Sequence, residues 1–306
     1  MEALKPAQFA ALLPMLQQVP INHLFARSVL EHKVDGRVWV HRDASGAPAL
    51  VWAAHPYGMS LLFGDAAQAS PAALQTMLRE RATRSDDEWL QCGPPPLADA
   101  LVAALGLSPA PSSAAPGGDA PQLFTRTNFR FDAARYPQAR ARFRARHPVV
   151  EIDAALFERI DFSVAPRRFW RDAAQFQREG TGYCSIASGQ VAACAFASFV
   201  FDDQLEIGIE THPDHRHQGH ALTAAIALID HCLQTGLTPV WSCRKQNAGS
   251  WRLAQRLGFV PIADLPYLRL QASGGASDVG RRLATELANP SVSERADDVL
   301  AGNGSL

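Results

Sequence analysis

The chain has 306 residues, a formal net charge of −1, 47% hydrophobic residues and 19% charged ones. That is long for one compact unit and apolar enough for real cores, which points to two domains and excludes a disordered chain. The absence of a basic excess argues against a nucleic-acid-binding surface, and no apolar run approaches the roughly 18 residues of a membrane span.

From the N-terminus, residues 1–20 lack a basic start followed by a long apolar run, so no signal peptide and a cytoplasmic location are expected. Helices are predicted at 7–18, 22–33, 71–84 and 96–105. Arg37 to Val40 and Ala49 to Ala54 read as strands around an Asp43-Ala44-Ser45-Gly46 turn, with further strands at Met59 to Phe63 and Trp89 to Cys92. Residues 108–121, rich in Pro, Ser, Ala and Gly, can neither bury a face nor hold a helix and read as a linker. The expected division is an N-terminal α/β domain at 1–107, this linker, a second domain at 122–270 and a mobile tail at 271–306 with one helical patch at 281–287.

The second domain repeats the first in outline. Tyr183 to Ala187 and Val191 to Phe199 flank an Ala187-Ser188-Gly189 turn, and Gln204 to Thr211 follows Asp202-Asp203. Both halves then read as an antiparallel meander followed by helix and strand. Hairpin turns favour such residues anyway, so a duplication stays open at this point.

Behind the strand ending at Thr211 comes His212-Pro213-Asp214-His215-Arg216-His217-Gln218-Gly219-His220-Ala221, then a helical pattern with Leu222, Ile226, Ile229 and Leu233 on one face and Gly236 as its stop. A strand that feeds a glycine loop opening into a helix turns several backbone N–H groups toward one point at the positive end of the helix dipole. Such a point suits a phosphate or pyrophosphate. A glycine at a helix start serves equally as a plain cap, so spacing alone leaves both readings open.

The order of motifs carries more. Arg216-x-x-Gly219-x-Ala221 resembles the pyrophosphate signature of the GNAT family of N-acetyltransferases, behind the strand end Thr211-His212-Pro213. Pro239 to Cys243 reads as the next strand, and Asn247-Ala248-Gly249-Ser250 running to Leu257-Gly258-Phe259 is similar to the family's asparagine helix. Phe169 to Thr211 looks closest to the branch that includes bacterial antibiotic-resistance acetyltransferases. The resemblance implies an α/β (α+β) fold with a mixed, mostly antiparallel sheet flanked by helices, preceded by a smaller α/β domain that is unassigned or a degenerate repeat.

The resemblance further implies acetyl-CoA as co-substrate. Backbone groups of Ile209 and Thr211 would pair with the pantetheine amides, and the Ile209 N–H would meet the thioester oxygen. Arg216, His217, Gln218, Gly219, His220 and Ala221 would form the pyrophosphate loop, with Asn247 contacting the cofactor from the far side. Glu206 and Glu210, on one strand face by period-two alternation unless a bulge intervenes, are the candidate bases for deprotonating an amine. The tyrosine many members carry four residues before the glycine is replaced by Ala254, leaving Ser242, Ser250 or water as proton donor to the thiolate. The expected partner is a small-molecule amine, with no nucleic acid and no membrane, and the protein a monomer or homodimer. A catalytically weak acyl-CoA-binding sensor is the alternative.

His212, His215, His217 and His220 invite a metal reading, but a loop committed to phosphate cannot easily supply a tetrahedral site, and no metal is expected. Cys92, Cys184, Cys194, Cys232 and Cys243 form no C-x-x-C pair and read as buried thiols rather than nucleophiles or a disulfide framework.

Overall fold

The computed structural model describes residues 1–81, 84–108, 120–144 and 147–272. Apart from their edges, the expected linker and tail, with the patch at 281–287, lie outside the described residues.

Twelve strands form one sheet: β1 (Glu2–Ala3), β2 (Arg37–Arg42), β3 (Pro48–Ala54), β4 (Met59–Gly64), β5 (Glu88–Gly93), β6 (Gln122–Phe131), β7 (Val149–Glu151), β8 (Gly182–Ala187), β9 (Gln190–Phe201), β10 (Gln204–Thr211), β11 (Thr238–Arg244) and β12 (Phe259–Leu270). Their spatial order is β1-β2-β3-β4-β5-β12-β6-β11-β10-β9-β8-β7. Every neighbouring pair is antiparallel except β4 with β5 and β10 with β11. The helices are α1 (Leu13–Leu16), α2 (Leu24–Leu30), α3 (Pro71–Glu80), α4 (Pro95–Leu105), α5 (Tyr136–Arg142), α6 (Ala154–Arg159), α7 (Ala173–Glu179), α8 (His220–Thr235) and α9 (Ala248–Arg256).

The order is a palindrome. Replacing each strand by the one six places away in the chain returns the same order read backwards. Each half runs through a meander, a parallel crossover (β4-α3-β5 and β10-α8-β11), a helix and a sixth strand. The sixth strands are exchanged: β6 lies beside β11 of the second half, and β12 beside β5 of the first. The two halves are thus topological repeats joined through the longest-paired ladder of the sheet, β6 with β12, from Phe131–Phe259 to Gln122–Arg269.

Local chemistry explains most elements. β9, a nearly unbroken apolar run, is buried on both faces, as a central strand should be. Ser188 and Gly189 both take positive φ in the β8–β9 turn, as a twist-matched two-residue hairpin requires. The single helix expected at 7–18 divides into a 3₁₀ segment, Pro6–Leu12, and α1, because Pro14 lacks the N–H and clashes with the preceding turn. In α8 Ala224, Ala225, Ile226, Leu228, Ile229 and Cys232 are buried, Ile226 and Ile229 as expected; Leu222 is half-buried, Leu233, expected in the apolar face, is 46% exposed, and Gly236 ends the helix in the left-handed conformation. α3 and α4 cover Leu50, Trp52, Leu62, Leu90 and Leu268 on one face of the first half. α2 reaches from β3 to β9, where Arg27 pairs with Asp202 (2.6 Å) and lies over the Phe201 ring.

Sharing the central strands has a stability consequence. A chain ended at Gly258 lacks β12 and leaves β5 and β6 with open edges in the middle of the molecule. The expected result is loss of the cooperative thermal transition for both halves together, read by circular dichroism. A truncated protein that melts cooperatively would refute the interlock.

Candidate active site

β10 and β11 pair only at their beginnings, Gln204–Thr238 to Glu206–Val240, although β10 continues to Thr211 and β11 to Arg244. Beyond Glu206 the two parallel strands diverge. The His212 N–H bonds the Ala192 carbonyl, so counting back in twos makes Glu210 and Gly208 the residues that exchange bonds with β9. The N–H and C=O of Ile209 and Thr211 then point into the opening. In the first half, β4 and β5 remain paired from Met59–Trp89 to Phe63–Gly93, and no such opening exists.

The loop at the mouth of this opening is surface-exposed from Arg216 to Gly219. A short turn, Pro213–His215, is followed by His217 at φ 62 and Gly219 at φ 90, which swing the chain into α8. Among the described residues, the amides of His217 to Ala221 meet no backbone acceptor. Thr223 is the first to close onto the loop, through its N–H and hydroxyl to the Gly219 carbonyl. His147 braces the loop from outside, its Nε2 2.9 Å from the Gln218 carbonyl. His220 is turned inward: its ring is buried, its Nδ1 lies 2.8 Å from Ser185 Oγ, and it packs on His147 at 3.7 Å. Burial first, and then the neighbouring His147 and His215, lower its pKa. Only the backbone of His220 therefore faces the loop. His212, His215 and His220 lie ring to ring in series, centroids 5.7 and 5.5 Å apart, but the described residues contain no group of three side chains placed to hold a metal.

At the apex of the opening three strands contribute one cluster. Ser242 Oγ on β11 donates to Glu206 Oε1 on β10 (3.1 Å). Arg126 Nη2 on β6 donates to Ser242 Oγ (2.5 Å) and lies 3.3 Å from Glu206 Oε1. Arg126 is a site residue that sequence reading missed; the only signal was the alternation of residues 122–131, which follows the linker. Glu210 occupies the same sheet face, as alternation predicts, because the register offset beside Glu206 adds its extra residue, Ser198, to β9 and not to β10. Glu210 accepts from Ser163 Oγ (2.9 Å) and from the Val164 N–H, which fastens the segment after α6 over the face.

That segment meets the first repeat. Phe169 packs on Phe196 and Phe199, on Tyr57 at 4.3 Å and on His55 at 6.1 Å. Asn247 caps α9, its side chain accepting from the Ser250 N–H. Ser250 Oγ is held by Trp241 Nε1, and Ala254 is fully buried. Of the two serines, Ser242 alone lies in the apex cluster. All five cysteines are buried free thiols, with Cys184 and Cys232 pushed up to about 12 by burial. No described helix is long and apolar enough to cross a membrane.

His55 gives the wall a pH dependence. Its Nδ1 accepts the Tyr57 N–H (3.0 Å), and burial lowers its pKa to about 3. An unfolded histidine takes up a proton near pH 6.5. The folded ring refuses it down to about 3, so stability is complete above 6.5 and falls as pH drops between those values, by on the order of 5 kcal/mol in all. His55→Asn keeps the acceptor without titrating. Its denaturation midpoint should decline less from pH 7 to pH 4 than that of the wild type, with His23 and His220, also lowered, keeping part of the slope. Equal declines would exclude His55 as the source.

Residues 119–267 match the family model described as GNAT acetyltransferase. This segment belongs to the GNAT acetyltransferase family. Among solved structures, a GCN5-related N-acetyltransferase-like protein from Streptococcus suis is 21% identical, with 87% of this chain and 99% of that one covered at a TM-score of 0.64. A tandem GNAT protein from the clavulanic acid biosynthesis pathway is 13% identical over 90% and 98%, TM-score 0.54. A GNAT-family acetyltransferase from Colwellia psychrerythraea is 11% identical over 88% and 98%, TM-score 0.54. At these identities the likeness is one of fold, and it extends over both repeats of this chain. No curated protein matches it.

Proposed function

We propose that the protein is an acetyl-CoA-dependent N-acetyltransferase that acetylates a primary amine of a small molecule by direct attack within a ternary complex. The observation that carries this reading is the divergence of β10 from β11, with unpaired amides at its mouth and a carboxylate at its apex. The amides of 217–221 and the exposed Arg216 suit the pyrophosphate. The inward edge of β10 at Ile209 and Thr211 suits the pantetheine, with the Ile209 N–H for the developing oxyanion. Asn247, whose Oδ1 is engaged as a helix cap, keeps its Nδ2 for the cofactor.

In this reading the acceptor enters from the face lined by Phe169 and Tyr57, and Glu206 takes its proton. Ser242 gives its hydroxyl proton to the departing thiolate, in the place of the absent tyrosine, and regains one from the protonated Glu206 3.1 Å away. Glu210 holds the acceptor wall instead of exchanging protons. The division at 107 and 122, the cytoplasmic location and the monomeric or homodimeric state belong to the same proposal.

The test is release of free CoA from acetyl-CoA across amino acids, polyamines, peptides and aminoglycosides, the last because of the resemblance to the resistance branch. Turnover with one class supports the enzyme. Tight acetyl-CoA binding by calorimetry with no turnover anywhere favours the sensor reading, which the buried Ala254 keeps open.

A further inference from the structure

We propose that Arg126, carried into the second repeat by the exchange of sixth strands, is a positioning residue that aims Ser242 and Glu206 for proton transfer. This rests on the acetyltransferase reading above. Arg126 belongs by chain order to the first repeat, yet its β6 lies against β11, with Asn128 opposite Ser242 and Arg126 opposite Arg244. One nitrogen of its guanidinium serves two partners, the Ser242 hydroxyl at 2.5 Å and Glu206 at 3.3 Å, and the Tyr267 ring supports the guanidinium 5.3 Å from its centroid.

The chemistry of the three groups dictates the direction of the network. A guanidinium only donates, so Ser242 must turn a lone pair toward Arg126. The single hydroxyl proton of Ser242 is then committed to Glu206, whose carboxylate only accepts. Without Arg126 the hydroxyl could rotate freely, and the carboxylate, 12% exposed with the arginine in place, would lose its charged partner. Arg126 thus sets the orientation of the serine proton and holds the carboxylate that receives it. The Arg126 side chain is itself only 13% exposed, and Ser242, Glu206 and the Tyr267 ring enclose its guanidinium.

The test compares Arg126→Gln and Arg126→Lys with the wild type, using whichever amine the panel identifies. For Arg126→Gln, kcat should fall about 30-fold, with the KM for acetyl-CoA within about twofold. The KM for the amine should also stay within about twofold, because removing an aiming contact acts on the chemical step and not on binding. Arg126→Lys keeps a cationic donor and should recover part of kcat but not all of it, because an ammonium lacks the planar fork. A merely structural role would lower Tm and raise both KM values along with the fall in kcat, with no recovery in Arg126→Lys, and that result would overturn the proposal. The second arm needs no turnover: the Ser242 side-chain torsion and the Ser242 Oγ–Glu206 distance are read from crystal structures of wild type and Arg126→Gln. A Ser242 hydroxyl turned away from Glu206 in Arg126→Gln supports its control by Arg126 even if no amine is ever acetylated; an unmoved Ser242–Glu206 pair refutes it whatever the activity.

Discussion

Gly219→Asp should abolish acetyl-CoA binding, with a loss of at least about a hundredfold by calorimetry and no change in the far-ultraviolet spectrum. Two causes act together. Gly219 sits at φ 90, a conformation that costs a residue with a side chain about 1–2 kcal/mol, least for Asn and Asp. A Cβ built there meets nothing within 4 Å, so the substitution does not crowd the fold; it projects into the space the phosphates would occupy. The aspartate then sets a negative charge against the pyrophosphate at the positive end of α8. Gly219→Asn, of the same size but neutral, separates the causes and should lose about tenfold less affinity than the aspartate. The same titrations count sites. In the first repeat β4 and β5 stay paired, and the N-terminus of α3 starts with Pro71 while Ser70 caps the Ala73 N–H, so neither a cleft nor a ring of open amides is available. Wild type should therefore bind one acetyl-CoA per chain, and Gly219→Asp none. Retained affinity at Gly219→Asp would sink the phosphate-loop reading.

The loop was legible because its signals are local: a strand end, a glycine at the helix start and an apolar helical face within 25 residues, followed by a second motif in register. The shared face of Glu206 and Glu210 followed from period-two alternation and survived a nearby bulge because the extra residue fell on β9. What escaped was non-local. β12 contains Pro261 and Pro266, which argue against a central strand. They are tolerated because β5 reaches β12 only over Tyr267–Leu270, leaving the rest of that edge without β5. With β12 unread, the exchange of sixth strands was invisible, and with it the route by which Arg126 reaches Glu206. The inward turn of His220 was equally hidden, since Ser185 lies 35 residues away in the chain. Duplication, by contrast, was half visible: two meanders with similar turns suggested it, and the palindromic strand order supplies the argument the turns lacked.

Glu206→Gln should lower kcat by about 10²–10³ while leaving acetyl-CoA binding within about twofold, the signature of a lost base in a site whose cofactor contacts are elsewhere. The amide keeps the volume and can still accept from Ser242, so the apex geometry persists while the proton acceptor is gone. Glu210→Gln serves as the contrast. Glu210 fastens Ser163 and Val164, so its loss should loosen the acceptor wall and raise the acceptor KM several-fold with kcat little changed. If Glu210→Gln proved the more damaging to kcat, the two carboxylates would have to exchange roles. Ser242→Ala tests the remaining step. A thiolate is a tolerable leaving group, so loss of its donor should cost only about tenfold in kcat with acetyl-CoA. The loss should shrink further with an acyl donor whose leaving thiol is more acidic, because a better leaving group needs less protonation. A loss of equal size with both donors would mean that Ser242 acts by orienting Glu206 and not by protonating sulfur. In that case the apex is a base held by two positioning residues, and water completes the reaction that the missing tyrosine leaves open.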